Sequence, residues 1–329
     1  MKKQLLALAV GSMIVAPSIA LADKGPTVYG KVNVSYENQD DGDNDAWKLQ
    51  SNASRLGVKG DLDLDLDNLK AIYKAEFEIS VDDGDKDGRT FSQRNIYGGF
   101  KHDYAGTLIA GKFDSPLKTS QGKVDQFNDL QADIKNIMAG ENRVSNIVQY
   151  STPTIADMVE VNVALIPGED QSAGAEDNGV ADALSSSIVF DNGVFYGSLA
   201  YDSEISDELV ADTTGDSKLN IIRATGMARV DMFEFGLLYQ LAEEEAGQGE
   251  DTSYLLSGAV KLDRWKLKAQ YGLTEADTTD EELTLIALGA DYKLAKNSKA
   301  FAYFSKVEAD LAGSEDTTFG IGFEHKFSM

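Results

Sequence analysis

The sequence contains no cysteine, five prolines and only two histidines, His102 and His325, in 329 residues. Without cysteine there is no disulfide scaffold and no thiolate-bound zinc or iron–sulfur cluster. Two isolated histidines leave almost nothing for a His-based triad or a multi-histidine metal site, so an enzyme is not expected, and neither is a cofactor. Positive charge is scarce as well. Lys and Arg number 30 against 55 Asp and Glu, a net charge of −25, and no basic stripe interleaved with aromatics interrupts the excess. Such a chain repels phosphate backbones, which argues against a nucleic-acid partner. The glycine-rich stretches hold no P-loop and no G-x-G-x-x-G ahead of a helix. Beyond the amino terminus no segment holds 18 uninterrupted apolar residues, so no spanning helix is expected.

The amino terminus reads as a cleaved export signal covering residues 1–22. Lys2 and Lys3 precede an apolar run from Leu5 to Val15, and Ala20-Leu21-Ala22 supplies the small-residue cleavage site. The run is shorter than the ~20 residues a spanning helix needs, and Gly11, Pro17 and Ser18 interrupt the region. Removing Lys2 and Lys3 leaves residues 23–329 more acidic still, as one unit that is either soluble outside the inner membrane or a membrane barrel.

The dominant pattern is alternation with period two. Leu69, Ala71, Tyr73, Ala75, Phe77, Ile79 and Val81 face one way, and Lys70, Ile72, Lys74, Glu76, Glu78 and Ser80 the other. The same contrast recurs around Val159–Leu165, Phe233–Tyr239 and Trp265–Tyr271. Several runs last about ten residues, the length that spans a bilayer when tilted, against about 5 to 6 in an ordinary sandwich. Strands are expected near Pro26–Glu37, Ser51–Leu62, Leu69–Val81, Phe91–His102, Thr107–Phe113, Val144–Ser151, Met158–Pro167 and Leu184–Phe190. Eight more are expected near Val194–Asp202, Leu219–Val230, Met232–Gln240, Thr252–Leu262, Arg264–Leu273, Glu282–Lys293, Asn297–Ala309 and Thr317–Phe327. The fold class is therefore all-β, a transmembrane antiparallel β-barrel of about sixteen strands, an even number that lets the first and last strands pair. Tight turns at Asp191-Asn192-Gly193, Asp231 and Asp263 alternate with long acidic loops at Asn38–Gln50, Asp82–Thr90, Gly168–Ala183 and Ser203–Lys218. Tyr36, Tyr104, Tyr150, Tyr201, Tyr239 and Tyr271 near strand ends suit aromatic girdles.

Between Asp114 and Asn142 the alternation lapses for longer than a hairpin needs, and loops of that length are functional or disordered. Four serial motifs surround it: Val28-Tyr29-Gly30-Lys31, Ser54-Arg55-Leu56-Gly57-Val58-Lys59-Gly60, Arg94-Asn95-Ile96-Tyr97-Gly98-Gly99-Phe100-Lys101 and Gly106-Thr107-Leu108-Ile109-Ala110-Gly111-Lys112. In order, with the leader and the long insertion after the fifth strand, they resemble the Gram-negative general porin family across the mature chain. The resemblance implies a homotrimer in the outer membrane, in contact with its lipids and lipopolysaccharide. It implies one water-filled channel per subunit for passive diffusion of ions and small hydrophilic solutes. It also implies a third extracellular loop folded inward (residues 114–142), whose carboxylates face a basic wall. By motif, Lys31, Arg55, Arg94 and Arg143 occupy the wall positions; Asp125, Asp129, Asp133 and Glu141 are the loop candidates. The family's Pro-Glu-Phe-Gly turn is replaced here by Asp125-Gln126-Phe127-Asn128-Asp129.

Parity supports the lumen for Lys31, opposite Val28, Val32 and Val34, for Arg55, opposite Leu56 and Val58, and for Arg143, opposite Val144, Val148 and Tyr150. Arg94 shares parity with Ile96 and Phe100, so its inward direction rests on the resemblance. The acidic loops should gather cations at the mouth while the basic wall favours anions at the narrowest point; the reading leans to cations. Phe319, Ile321, Phe323, Phe327 and Met329 share parity, similar to the carboxy-terminal signal that barrel-assembly machinery reads, although that family ends on Phe. Asp83-Gly84-Asp85-Lys86-Asp87-Gly88 opens like a calcium loop, but Arg94 falls at its twelfth position. A porin selective for a sugar, phosphate or carboxylate and a non-channel adhesive barrel remain as alternatives. The first lacks an aromatic track or a dense basic cluster in 114–142, and the second does not suit a barrel too wide for side chains to fill.

Overall fold

The computed structural model describes residues 25–83, 90–172, 178–211, 217–247 and 249–329. The leader and the calcium-like stretch Gly84–Gly88 lie outside the described residues. The strands are β1 Thr27–Asp40, β2 Asp45–Ser51, β3 Arg55–Asp63, β4 Leu69–Ile79, β5 Phe91–His102, β6 Gly106–Asp114, β7 Arg143–Ser151, β8 Val159–Ile166 and β9 Ala183–Asp191. They continue as β10 Phe195–Asp207, β11 Ser217–Val230, β12 Phe233–Glu244, β13 Glu250–Leu262, β14 Trp265–Ala276, β15 Glu282–Ala295, β16 Ser298–Ala309 and β17 Ser314–Ser328. Sequential neighbours pair antiparallel, and β1 closes the sheet on β17 from Tyr29 opposite Ser328 to Asp40 opposite Thr317. β2 and β3 are halves of one barrel strand, since both pair with β1 and only Asn52-Ala53-Ser54 separates them. Ala53 adopts φ 49°, which turns the chain out of the extended conformation for one residue. The wall thus has sixteen strands, in the order and places the alternation indicates.

Two of the expected long acidic loops are shorter. Asn38–Gln50 is mostly ladder: β1 runs to Asp40 and β2 begins at Asp45, leaving a turn that Asp41 caps by accepting from the backbone N–H of Asp43 and Asn44. Polar side chains hid the strand there because this hairpin carries Asp and Asn at alternating positions. In the Ser203–Lys218 region β10 continues to Asp207 past a bulge in which Glu204 takes φ 54°. Connections still alternate. The short ones include Asp231 and Asp263, both at φ 51°, and the longer ones, including 115–142, cluster on the other rim.

Burial follows the alternation with its sign reversed from a soluble protein. In β12, Phe233, Phe235, Leu237 and Tyr239 point outward and exposed while Glu234, Gly236, Leu238 and Gln240 point inward. β14 does the same with Trp265, Leu267 and Tyr271 outside and Lys268, Gln270 and Thr274 inside. A continuous apolar exterior over a fully paired, edge-free wall is the arrangement that hydrocarbon solvates.

The apolar core lies inside the barrel and belongs largely to segment 115–142. Val124, Phe127, Leu130, Ile134, Ile137 and Met138 pack against the inward-facing Met227, Leu238, Leu255, Leu285, Phe301 and Tyr303. Each large apolar side chain buried in this way contributes roughly 1.5–3 kcal/mol. Leu117 and Ala139 pack similarly on Leu209, Leu219 and Ile221. Glycine makes room for the approach: a Cβ on Gly236 would stand 2.6 Å from Val124 Cγ2. The inner wall is therefore divided: along β10–β16 apolar patches seat the segment between buried polar groups such as Arg223 and Lys268, and β1 and β3–β7 carry Lys31, Arg55, Arg94 and Arg143.

Candidate functional site

Segment 115–142 opens with a helical turn, Pro116–Thr119, started by proline and capped by Ser115, whose side chain accepts from the N–H of Lys118. A second turn, Ile134–Asn136, is capped by Asp133. Polar bonds fasten the segment to the far wall. Lys268 Nζ donates to the carbonyl of Gln126 at 2.9 Å and sits 4.4 Å from the Phe127 ring centre, Gln270 takes the N–H of Gln126, and Thr274 donates to the carbonyl of Ile137.

Asp129 faces the opposite side. Its Oδ2 accepts from Lys31 Nζ at 2.7 Å and from Arg55 Nη2 at 2.8 Å. Arg55 Nη1 also lies 3.7 Å from Glu76, a buried carboxylate on β4 that accepts from Tyr29 Oη at 2.8 Å and Arg94 Nε at 3.2 Å and stands 3.5 Å from Lys74. Arg94 Nη1 reaches Glu78 at 2.6 Å. Arg143 pairs with Asp114 at 2.9 Å, and Asn95 bridges the two by donating to Asp114 and accepting from Arg143 Nε. Burial alone would push the Asp129 carboxyl up, but Lys31, Arg55 and Arg94 together hold it below the usual range.

The other three loop carboxylates have different neighbours. Asp125 accepts from the backbone N–H of Phe127 and Ile134, and Asp133 from those of Asp129 and Lys135, so both brace the segment's own turns. Burial, reinforced by Asp133, pushes the Asp125 carboxyl up from its ordinary range. Glu141 is fastened to β11: its Oε1 accepts from Arg223 Nη1 at 2.7 Å and its Oε2 from Gln121 at 2.9 Å. Arg223 is fully buried and also donates to Gln240 and the carbonyl of Ala139.

Of the eight residues singled out in the sequence, the structure brings Lys31, Arg55, Arg94 and Asp129 into one network and places Arg143 beside them on β7. A cavity of about 530 Å³ is lined by Arg55, Arg94 and Arg143 on the wall and by Asp129, Asp133 and Glu141 on the segment. Arg94 points inward despite its parity because β4 and β5 slip register between Ala75 opposite Ile96 and Phe77 opposite Gln93. That bulge turns the face over between Phe91 and Phe100. Glu76, Glu78 and Lys74 were visible on the charged face of the Leu69–Val81 run but not singled out. Arg223 follows two adjacent isoleucines, and no alternation marked it.

The Gram-negative porin family profile matches residues 6–312 of the chain. An outer membrane porin protein of Bordetella pertussis is 24% identical over 389 residues, covering 99% of this chain and all of that protein. Among solved structures, an anion-selective porin from Comamonas acidovorans superposes with a TM-score of 0.75 at 21% identity, covering 92% of this chain and 99% of that one. The trimer form of OmpT from Vibrio cholerae gives 0.66 at 19% identity, with 92% and 99% coverage. OmpF of Salmonella typhi in complex with daunomycin gives 0.69 at 12% identity, with 92% and 97% coverage.

Proposed function

The chain belongs to the Gram-negative porin family, and from that premise we propose that it is a general diffusion channel whose narrowest passage is the gap between segment 115–142 and the wall of β3–β7. As a porin it resides in the outer membrane and forms a channel for small solutes. The observation that carries the finer reading is the Asp129 bridge to Lys31 and Arg55, which ties the segment across to the basic wall with a polar opening beside it. The wall side of that opening carries Arg55, Arg94 and Arg143 with Glu78 and Asp114, and the segment side Asp129, Asp133 and Glu141 with Lys118 and Lys135, so small net charges of opposite sign impose a transverse field that orients water and polar solutes, and transport then needs no covalent step.

Lining the opening, Arg55, Arg94, Lys118, Lys135 and Arg143 are matched in number by Glu78, Asp114, Asp129, Asp133 and Glu141. This balance supports weak ion selectivity, with the acidic mouth tipping it towards cations at low salt. The leader 1–22 is removed on export, the mature barrel assembles as a homotrimer among outer-membrane lipids and lipopolysaccharide, and the final strand engages the assembly machinery. Planar-bilayer recording under a salt gradient tests the reading. Large ohmic steps closing in threes, unblocked by sugars or phosphate, support it. Folded protein without steps returns the adhesive barrel. Saturable block by one solute favours a selective porin, and an anion-directed reversal potential would align the channel with the Comamonas protein instead.

A further inference from the structure

Below segment 115–142 the lumen wall changes sign. Towards the rim of short turns, the periplasmic rim of an outer-membrane barrel, β13 to β16 carry Lys261, Lys266, Lys268, Lys293 and Lys299. All five face inward by parity: Lys261 with the buried Ala259, Lys266 and Lys268 with Gln270, Lys293 with Ala287, and Lys299 with Phe301. Five basic residues on four adjacent strands is a concentration in a chain that holds 30 against 55 acidic ones.

Carboxylates are outnumbered there. Glu234 takes Lys261 at 2.6 Å and Lys266 at 2.8 Å, and Asp291 takes Lys299 at 2.9 Å and Lys268 at 3.3 Å. Each carboxylate is shared by two ammonium groups, and Lys293 has no carboxylate partner among the described residues. The neighbouring charges cancel: Glu324, opposite Lys299, is matched by Lys326 at 3.0 Å, and Asp263 and Arg264 share the β13–β14 turn. Across the lumen, Lys59, Lys70, Lys74 and Lys101 on β3–β5 are matched in number by Asp61, Asp63, Glu76 and Glu160. The surplus is therefore local to β13–β16.

Placement and access give the surplus a use. Lys261 stands opposite Lys266, and Lys293 opposite Lys299. Like charges so placed destabilise a sheet, and the two pairs lie across about 14 Å of wall, three strand spacings. A bridging anion would relieve both. The side chains of Lys261, Lys266 and Lys299 are 55%, 31% and 32% exposed, and Lys293 is exposed as well, so four ammonium groups reach lumen water. Lys268 is 4% exposed and engaged by Asp291, the carbonyl of Gln126 and the Phe127 ring, which sets the edge of the patch against the segment.

We propose that this patch is a docking site for small multivalent anions, compounds with two or more neighbouring carboxylate or phosphate groups, held by Lys261 and Lys266 at one end and Lys293 and Lys299 at the other. A solute seated there lies on the periplasmic half of the wall, past the charged opening. The site goes beyond the diffusion-channel reading and does not rest on it, because binding to the wall requires no particular narrowest passage.

Isothermal titration of the detergent-folded protein with citrate and with pyrophosphate, at low salt and without divalent cations, tests it, with acetate as the single-charge control. The expected result is saturable binding of at least one multivalent anion at one site per chain, with acetate about tenfold weaker or more. The double variant Lys261→Gln/Lys299→Gln removes one ammonium from each pair, yet leaves Glu234 with Lys266 and Asp291 with Lys268, so both carboxylates stay paired. It should weaken binding about tenfold or more. Lys59→Gln/Lys70→Gln makes the same change in net charge across the lumen and should move the affinity less than about twofold, since distant exposed charges are screened. Equal weakening by the two double variants would be diffuse attraction to the lumen and would overturn the proposal. So would acetate binding as tightly as citrate, or no binding of either multivalent anion by protein that retains its heat-modifiable mobility. Because the readout is heat and not current, failure here is distinguishable from failure of the channel reading.

Discussion

Asp129 and Arg55, 74 residues apart in the chain, hold carboxylate and guanidinium 2.8 Å from each other, at the point where segment 115–142 meets the basic wall. Lys31 shares the same Asp129 oxygen, so one carboxylate offsets two cations at that contact.

Replacing Asp129 by Asn should free both cations to act on passing ions. A unit charge about 8 Å away in a water-like medium is worth roughly 0.5 kcal/mol, attracting one ion and repelling the other, so the cation-to-anion permeability ratio should move about fivefold towards anions. Reversal potentials of wild type and Asp129→Asn under the same low-salt gradient check this; unchanged selectivity would place the narrowest passage elsewhere.

The pH dependence of that contact has a definite sign. The Asp129 carboxyl is held below its ordinary range in the fold, so its ion pairs are intact above that range and are lost as pH falls through the lowered value. The share of the selectivity that Asp129 sets should therefore hold at neutral pH and drift towards anions only below about pH 4, beneath the ordinary carboxyl range. A transition near neutrality would assign the response to another group.

At the other end of the segment, removing Glu141 from its pair with the fully buried Arg223 should cost about 3–5 kcal/mol, because the guanidinium is left charged and dry, and removing Arg223 should cost less because Glu141 keeps Gln121 and the opening beside it. Arg223→Ala and Glu141→Leu should each lower resistance to denaturant unfolding and raise open-channel noise. The double variant Arg223→Met/Glu141→Leu should recover much of the stability. Equal losses in all three would mean that packing and not charge fastens this root.

Gly140 sits between these groups at φ +88°, where a Cβ would stand 2.6 Å from Leu117 Cδ2 and 3.1 Å from Arg223 Nη2. Gly140→Ala combines backbone strain with displacement of the guanidinium and should destabilise by about 1–3 kcal/mol. Limited proteolysis at Lys118, Lys123 and Lys135 reads the loosening directly; wild-type protection in the variant would show that the root tolerates a side chain.

Period-two alternation by itself determined the strand count, the outward face of runs such as Phe233–Tyr239, and the tight turns at Asp231 and Asp263, because a pleated strand between two solvents must sort its side chains by parity. That logic reached Lys31 and Arg55 for the same reason. It failed where pairing departs from simple parity. The β4–β5 bulge turns Arg94 inward against its count, and the polar hairpin 38–50 reads as loop because both of its faces carry polar residues. The roles of the acids in 115–142 lay beyond any local pattern. Asp125, Asp129, Asp133 and Glu141 look equivalent in the chain, yet only contacts with residues 74 to 98 positions away in β1 and β3 single out Asp129, while Arg223, 82 positions away, takes Glu141. Which carboxylate meets which cation is decided by how an apolar segment seats on the inner wall, and seating is a property of the closed barrel.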